Sequence, residues 1–230
     1  MKSKFMIIIA AFGLASTSVQ AQISLSSLNT PYTQNFDTIV ADNTSGNPIV
    51  LPLGWTATGE SVLYRGTSTS STSGGLYGYN SETLGYLPSS SADNIQFTAL
   101  FANNTGSAIT ELSISYLGEH WRGVSGRENT WSVELDTGSG FSTVSGLTFT
   151  PNTDGSLASA ASLSNPSIAV SIADSATFSI RWVSDRGTGT GSSQGISFDN
   201  VSVTAIPEPS TLAMVGLVGL AALAVLRKRK

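Results

Sequence analysis

Fourteen carboxylates and a single histidine lie between Gln22 and Ile206, and these are the groups that could move protons or hold a cation. Glu119 with Glu128 or Glu134 could form a glycosidase pair, one acid protonating the leaving oxygen while the other attacks or activates water. Nothing in their spacing selects a pair, so a secreted hydrolase that uses carboxylates is the third of three readings. His120 stands alone, which rules out multi-histidine zinc and makes any Ser-His-Asp arrangement depend on it. It reads as a surface strand residue rather than as a general base. There is no cysteine, hence no disulfide, no thiolate nucleophile and no cysteine-ligated metal.

The elements that must position these groups are strands. Apolar residues recur with period two: Ile95, Phe97, Ala99 and Phe101; Leu112, Ile114 and Tyr116; Trp131, Val133 and Leu135; Ile168, Val170 and Ile172; Phe178, Ile180 and Trp182. No amphipathic helical stretch of useful length competes. Near the end of the body the phase changes, since Ile196 and Phe198 occupy one parity and Val201 and Val203 the other. A β-bulge near Asp199-Asn200 would keep all four side chains inward. Short strands separated by Ser, Thr, Gly and Asn turns predict an all-β fold, an antiparallel two-sheet sandwich of jelly-roll type over residues 22–205. The Ser/Thr-rich stretch from Thr67 to Gly75 reads as a solvated connection between strands.

Both ends of the chain read as targeting sequence. Lys2 and Lys4 precede an apolar run from Phe5 to Leu14, and Val19-Gln20-Ala21 offers the small-residue pattern of a signal peptidase site, so residues 1–21 form a signal peptide cut between Ala21 and Gln22. At the other end, Pro207-Glu208-Pro209 is followed by an uncharged apolar run and then by Arg227, Lys228, Arg229 and Lys230. The prolines stop a helix from extending back through the tripeptide. A helix over residues 211–226 is expected to enter the membrane. The fifteen residues from Leu212 to Leu226 would rise ~22 Å at ~1.5 Å each, short of the ~30 Å hydrocarbon core, but snorkelling cations and local thinning accommodate the difference. The four terminal cations then stay cytoplasmic and the body lies outside.

With the two ends set aside, the body holds five arginines and no lysine against fourteen acids, a formal charge of −9. Nucleic acid is therefore excluded as a partner, and anionic polysaccharide is repelled unless a cation mediates.

Residues 206–230, with motif, apolar run and basic tail in that order, resemble the PEP-CTERM sorting signal of Gram-negative bacteria. That resemblance implies recognition by exosortase, a membrane-embedded transpeptidase-like enzyme, with export, an inner-membrane anchored intermediate and cleavage near Pro207 to Pro209. The body also resembles a bacterial surface-protein module, through Tyr32-Thr33-Gln34-Asn35-Phe36-Asp37, Leu53-Gly54-Trp55, Phe101 to Gly106, Tyr116 to Arg122, and Ile196 to Val203. It is similar as well to carbohydrate-binding jelly rolls in which acids from an early and a late strand hold structural calcium. Transferred by position, that likeness implies Asp37 and Asp199 as calcium ligands, with Asp185 as a third. The alternative is that Asp37 and Asp199 are turn or bulge residues bonding local backbone N–H groups. Trp121 and Arg122, before a Gly-rich turn, are the candidates for stacking on and binding a sugar. The leading reading is a non-enzymatic, exported protein of the cell surface or extracellular matrix, with extracellular polysaccharide as a partner; the second is a carbohydrate-binding module, with or without calcium.

Overall fold

Strands form where the apolar alternation predicts them, because each stripe has a facing sheet to pack against. A computed structural model of the protein describes residues 21–59, 62–90, 93–123, 127–152, 154–157 and 160–207. One sheet contains β1 (Ile23–Leu25), β3 (Trp55–Thr58), β6 (Gln96–Asn103), β8 (Thr130–Asp136), β9 (Ser142–Thr143) and β11 (Thr177–Asp185). Its order is β1-β6-β11-β8-β9, with β3 sharing the β1 side of β6. The other contains β2 (Tyr32–Gln34), β4 (Gly75–Tyr77), β5 (Leu84–Leu87), β7 (Ile109–Arg122), β10 (Ala161–Ile172) and β12 (Gly195–Ile206). There the order is β10-β7-β12-β5-β4, and β2 lies end to end with β5 along β12.

The two sheets make the expected sandwich, with one departure from antiparallel pairing. Strand β1 runs parallel to β6, Ile23 opposite Phe101 and Leu25 opposite Asn103. No hairpin joins these strands, so no turn dictates their relative direction. Residues 1–20 of the expected signal peptide over 1–21, Glu208, Pro209, the helix over 211–226 and the cations of 227–230 lie outside the described residues, and among those described no helix is long and apolar enough to cross a membrane.

Phe198 is the centre of the core. Its ring stands 5.1–6.3 Å from those of Phe36, Trp55, Phe97, Tyr116, Trp131 and Trp182, contributed by both sheets and the segment after β2. Ile196, Phe198, Val201 and Val203 are all fully buried. They face one way because of the bulge: Asp199 pairs with Leu117 and Ser202 with Ser115, so three steps on β12 match two on β7. Asn200 takes up the extra residue at φ 49°, a left-handed conformation that asparagine tolerates better than most.

Ile168, Val170 and Ile172 line an edge strand, and only Ile172 is fully covered. Strand β10 begins earlier than its stripe, at Ala161, and its register slips between Asn165 and Ile168. Pro166, which has no N–H to give a ladder, sits within that slip.

Candidate functional site

The outer face of the second sheet is not a plain solvated surface. Glu119 and Trp121 of β7 and Ser197 and Asp199 of β12 all point away from the core, on the parity opposite to Gly118, His120, Ile196 and Phe198. Over them folds the stretch from β4 to β5. Tyr77, Tyr79 and Leu87 form a small second core there, with Trp121 packed against it. The Tyr77 and Tyr79 rings stack at 5.0 Å and 6°, and Tyr79 stacks in turn on Trp121 at 6.4 Å and 27°. Gly85 makes this possible, since a Cβ there would lie 2.2 Å from the Tyr79 ring.

Polar groups are enclosed along with the rings. The Trp121 indole N–H donates to Ser197 Oγ at 2.7 Å. Burial pushes the Glu119 carboxyl above the usual carboxylate range, with a further push from Glu82, against the pull of a hydrogen bond with Ser197. Asp199 is pushed up to about 6, first by burial and then by the charges of Glu119, Asp37 and Glu82, while the Asn200 backbone N–H pulls it back. Glu119 Oε2 and Asp199 Oδ1 are buried with no hydrogen-bond partner. The Tyr79 hydroxyl is a third such group, and burial raises its pKa strongly.

Of the residues nominated from sequence, Trp121 and Asp199 meet here and Asp37 acts on Asp199 through its charge. Asp185 does not join them. It ends β11 in the other sheet, and its carboxylate accepts the Gly187 N–H at 2.8 Å. Asp37 accepts from the Asn35 side chain two residues back. Among the described residues no group of three carboxylate or imidazole side chains is gathered to hold a metal ion. The implied calcium set of Asp37, Asp199 and Asp185 is therefore not assembled, because local turns engage two of its members.

One of the candidate hydrolase pairs, Glu119 with Glu134, is parted as well. Glu134 lies on the outer side of the first sheet, 2.6 Å from Arg181, whereas Glu119 lies on the outer side of the second. His120 is buried rather than on the surface, because β7 keeps its alternation unbroken through Gly118 and carries the residue inward. Its Nε2 lies 3.0 Å from the Arg122 carbonyl, and burial lowers its pKa. Gly191-Ser192-Ser193-Gln194-Gly195 fits the Gly-x-Ser-x-Gly spacing of a nucleophile elbow, a match the sequence reading missed. An elbow needs a strand-to-helix turn. Here the segment leads into β12, and Ser193 is buried with its carbonyl accepting from Arg122.

Three of the four tryptophans are buried, Trp55 at 5% exposure and Trp131 and Trp182 at 0%, leaving Trp121 alone partly exposed. The small second core was illegible in the stripes because consecutive residues are buried in β4 and β5, so Tyr77, Tyr79 and Leu87 stand out in no apolar/polar alternation. The signal that could have found it is Gly75, Gly78 and Gly85, three glycines interleaved with the aromatics, each closely approached by other atoms.

Strand β12 continues to Ile206, and Pro207, which lacks an N–H, follows at once. Residues 205–230 match the family described as the PEP-CTERM protein-sorting motif. The tail is a PEP-CTERM sorting motif. It overlaps the sandwich, since Ala205 and Ile206 pair with Leu112 and Glu111 of β7. The segment before Pro207 is thus strand and not linker, because Val201, Val203 and Ala205 carry the buried phase to its end.

No curated protein matches the chain. Solved structures similar to it include the C-terminal family 22 carbohydrate-binding module of Clostridium thermocellum Xyn10B, at 15% identity over 76% of this chain and 91% of that one, TM-score 0.40. A cleaved adhesin domain of Lys-gingipain from Porphyromonas gingivalis is similar at 11% identity over 76% and 98%, TM-score 0.42. A xylan-binding domain from Paenibacillus barcinonensis is similar at 10% identity over 79% and 97%, TM-score 0.37.

Proposed function

We propose that this is a non-enzymatic, exported protein of the cell surface or extracellular matrix, carried there through its PEP-CTERM tail as a substrate of exosortase. The observation that carries the reading is the sorting motif at 205–230, joined without a spacer to the last strand of the sandwich. Cleavage near Pro207 to Pro209 would remove no strand, since β12 ends at Ile206. The signal peptide over 1–21 and the membrane helix over 211–226 belong to the same reading: they take the chain across the inner membrane and hold it there until processing. The parting of Glu119 from Glu134, the burial of His120 and the strand context of Ser193 support a role without catalysis. Replacing Pro207, Glu208 and Pro209 with alanines tests the sorting step. The altered chain is expected to accumulate uncleaved in the inner-membrane fraction; unchanged appearance at the surface would count against the reading.

A second reading, a carbohydrate-binding module, is favoured by Trp121. It is the tryptophan of the four that is not fully buried, and it is fixed in place by Ser197 Oγ and by the Tyr77-Tyr79 stack. A ring so held can stack on a sugar with little loss of side-chain freedom. Trp121→Ala should abolish binding on a glycan array while leaving the unfolding midpoint within a few degrees of the parent; retained binding would remove Trp121 as the platform.

A further inference from the structure

The five body arginines are not spread evenly over this acidic domain. Arg181 is paired with Glu134 on the first sheet. The other four converge on one end. Arg65 and Arg122 both act on Tyr77 through their charge, Arg127 donates to the carbonyls of Gly187 and Gly191, and Arg122 and Arg186 line one pocket that Gly191 also borders. That pocket encloses about 230 Å³ and opens to solvent between the Thr72 loop, the end of β5 and the approach to β12.

Its lining is of three kinds. Arg122 and Arg186 supply positive charge, Thr72, Ser90 and Ser192 supply hydroxyls, and Pro88 supplies an apolar wall. Arg122 is anchored through Nη1 to the Ser193 carbonyl, which leaves its remaining N–H groups for another acceptor. Arg186 Nε is buried and has no hydrogen-bond partner. Neither arginine forms an ion pair among the described residues, where the one present is Arg181 with Glu134. A buried guanidinium N–H without an acceptor costs free energy, and a shift of the Arg186 side chain toward an oxyanion in the pocket would supply the acceptor.

We propose that the pocket between Arg122 and Arg186 binds the carboxylate of an acidic sugar unit in an extracellular polysaccharide. The guanidinium fork matches a planar carboxylate, the surrounding hydroxyls match those of a pyranose ring, and the volume suits a single unit at a time. The overall charge of −9 repels a densely charged polyanion, so the local cations select a chain whose charges are spaced along it. The ligand's source rests on the matrix reading above; its chemistry rests on the pocket alone. A sulfated sugar would present the same oxyanion, and the experiment separates the two.

Full-length chain solubilised in detergent is titrated calorimetrically with a xylo-oligosaccharide carrying a single glucuronate, with the neutral xylo-oligosaccharide of equal length, with a sulfated oligosaccharide and with inorganic sulfate. The expected result is saturable binding of the uronate, weakened by salt, with no binding of the neutral sugar and weaker binding of the sulfated one. Arg186→Gln and Arg122→Gln should each lower uronate affinity by about tenfold, as loss of a charge-assisted hydrogen bond predicts, while Arg186→Lys should lose less. Matching unfolding midpoints establish that each variant is folded, and two sites guard against one variant failing to fold. Absence of uronate binding, an affinity equal to the parent's in both glutamine variants, or a preference for sulfate in either form would overturn the proposal. Binding is measured on the purified chain, so a failure of sorting in cells would leave this result standing, and a failure here would leave sorting untouched.

Discussion

Asp199 carries the clearest consequence at the scale of one residue. Its carboxyl titrates near 6 in the folded protein, against the ordinary aspartate range when unfolded, because burial and three neighbouring acids disfavour the charge. The folded state therefore holds the proton more tightly. The group's contribution to stability is fully present below the unfolded pKa and is lost as pH rises through about 6. Asp199→Asn keeps the shape and removes the charge, so it should raise the unfolding free energy at pH 8 by on the order of 1–2 kcal/mol, partial hydration reducing the full value. The gain should vanish near pH 3.5. Urea melts at the two pH values check this, and an equal effect at both would contradict it. Gly85 gives a second test. A methyl group there meets the Tyr79 ring, so Gly85→Ala should cost about 1–3 kcal/mol by overpacking and shift the near-ultraviolet signal of the Tyr77-Tyr79-Trp121 stack.

At the scale of the element, β12 shows both what sequence can and cannot reveal. The reversal of parity between Phe198 and Val201 was enough to infer a bulge at Asp199-Asn200, since no other arrangement buries all four apolar side chains. Deleting Asn200 removes the extra residue and leaves Val201, Val203 and Ala205 on the parity of Ile196 and Phe198, so the expected outcome is a regular strand and retained cooperative unfolding in urea; loss of cooperative unfolding would contradict the assignment of Asn200 as the extra residue. Asn200→Gly, which suits φ 49°, should be within about 1 kcal/mol of the parent. The stripes at Ile95 to Phe101, Leu112 to Tyr116, Trp131 to Leu135 and Phe178 to Trp182 were legible because each has one buried face. The outer face of the same sheet was not. Glu119, Trp121, Ser197 and Asp199 stand at polar positions of their strands, and alternation alone assigns such positions to solvent. What buries them is a covering stretch around Tyr79 that joins by long-range packing, without an apolar/polar alternation of its own. The arginine pocket was hidden for the same reason, as its residues come from four separate segments.

For the whole molecule, the sandwich and the sorting tail meet at a single point, where β12 gives way to Pro207. Phe198 ties the last strand to rings from both sheets, so Phe198→Ala should cost about 3–5 kcal/mol and destabilise the very strand that leads into the motif, a loss readable by urea denaturation. Charge also acts at this scale. An acidic, lysine-free body with four of its five arginines gathered at one end would give a charged partner an orientation. The most direct test of export and processing is intact mass spectrometry of the protein recovered from the cell surface or medium. The predicted mature chain begins at Gln22 and ends near Pro207 to Pro209; exported protein that still ends at Lys230 would contradict the account.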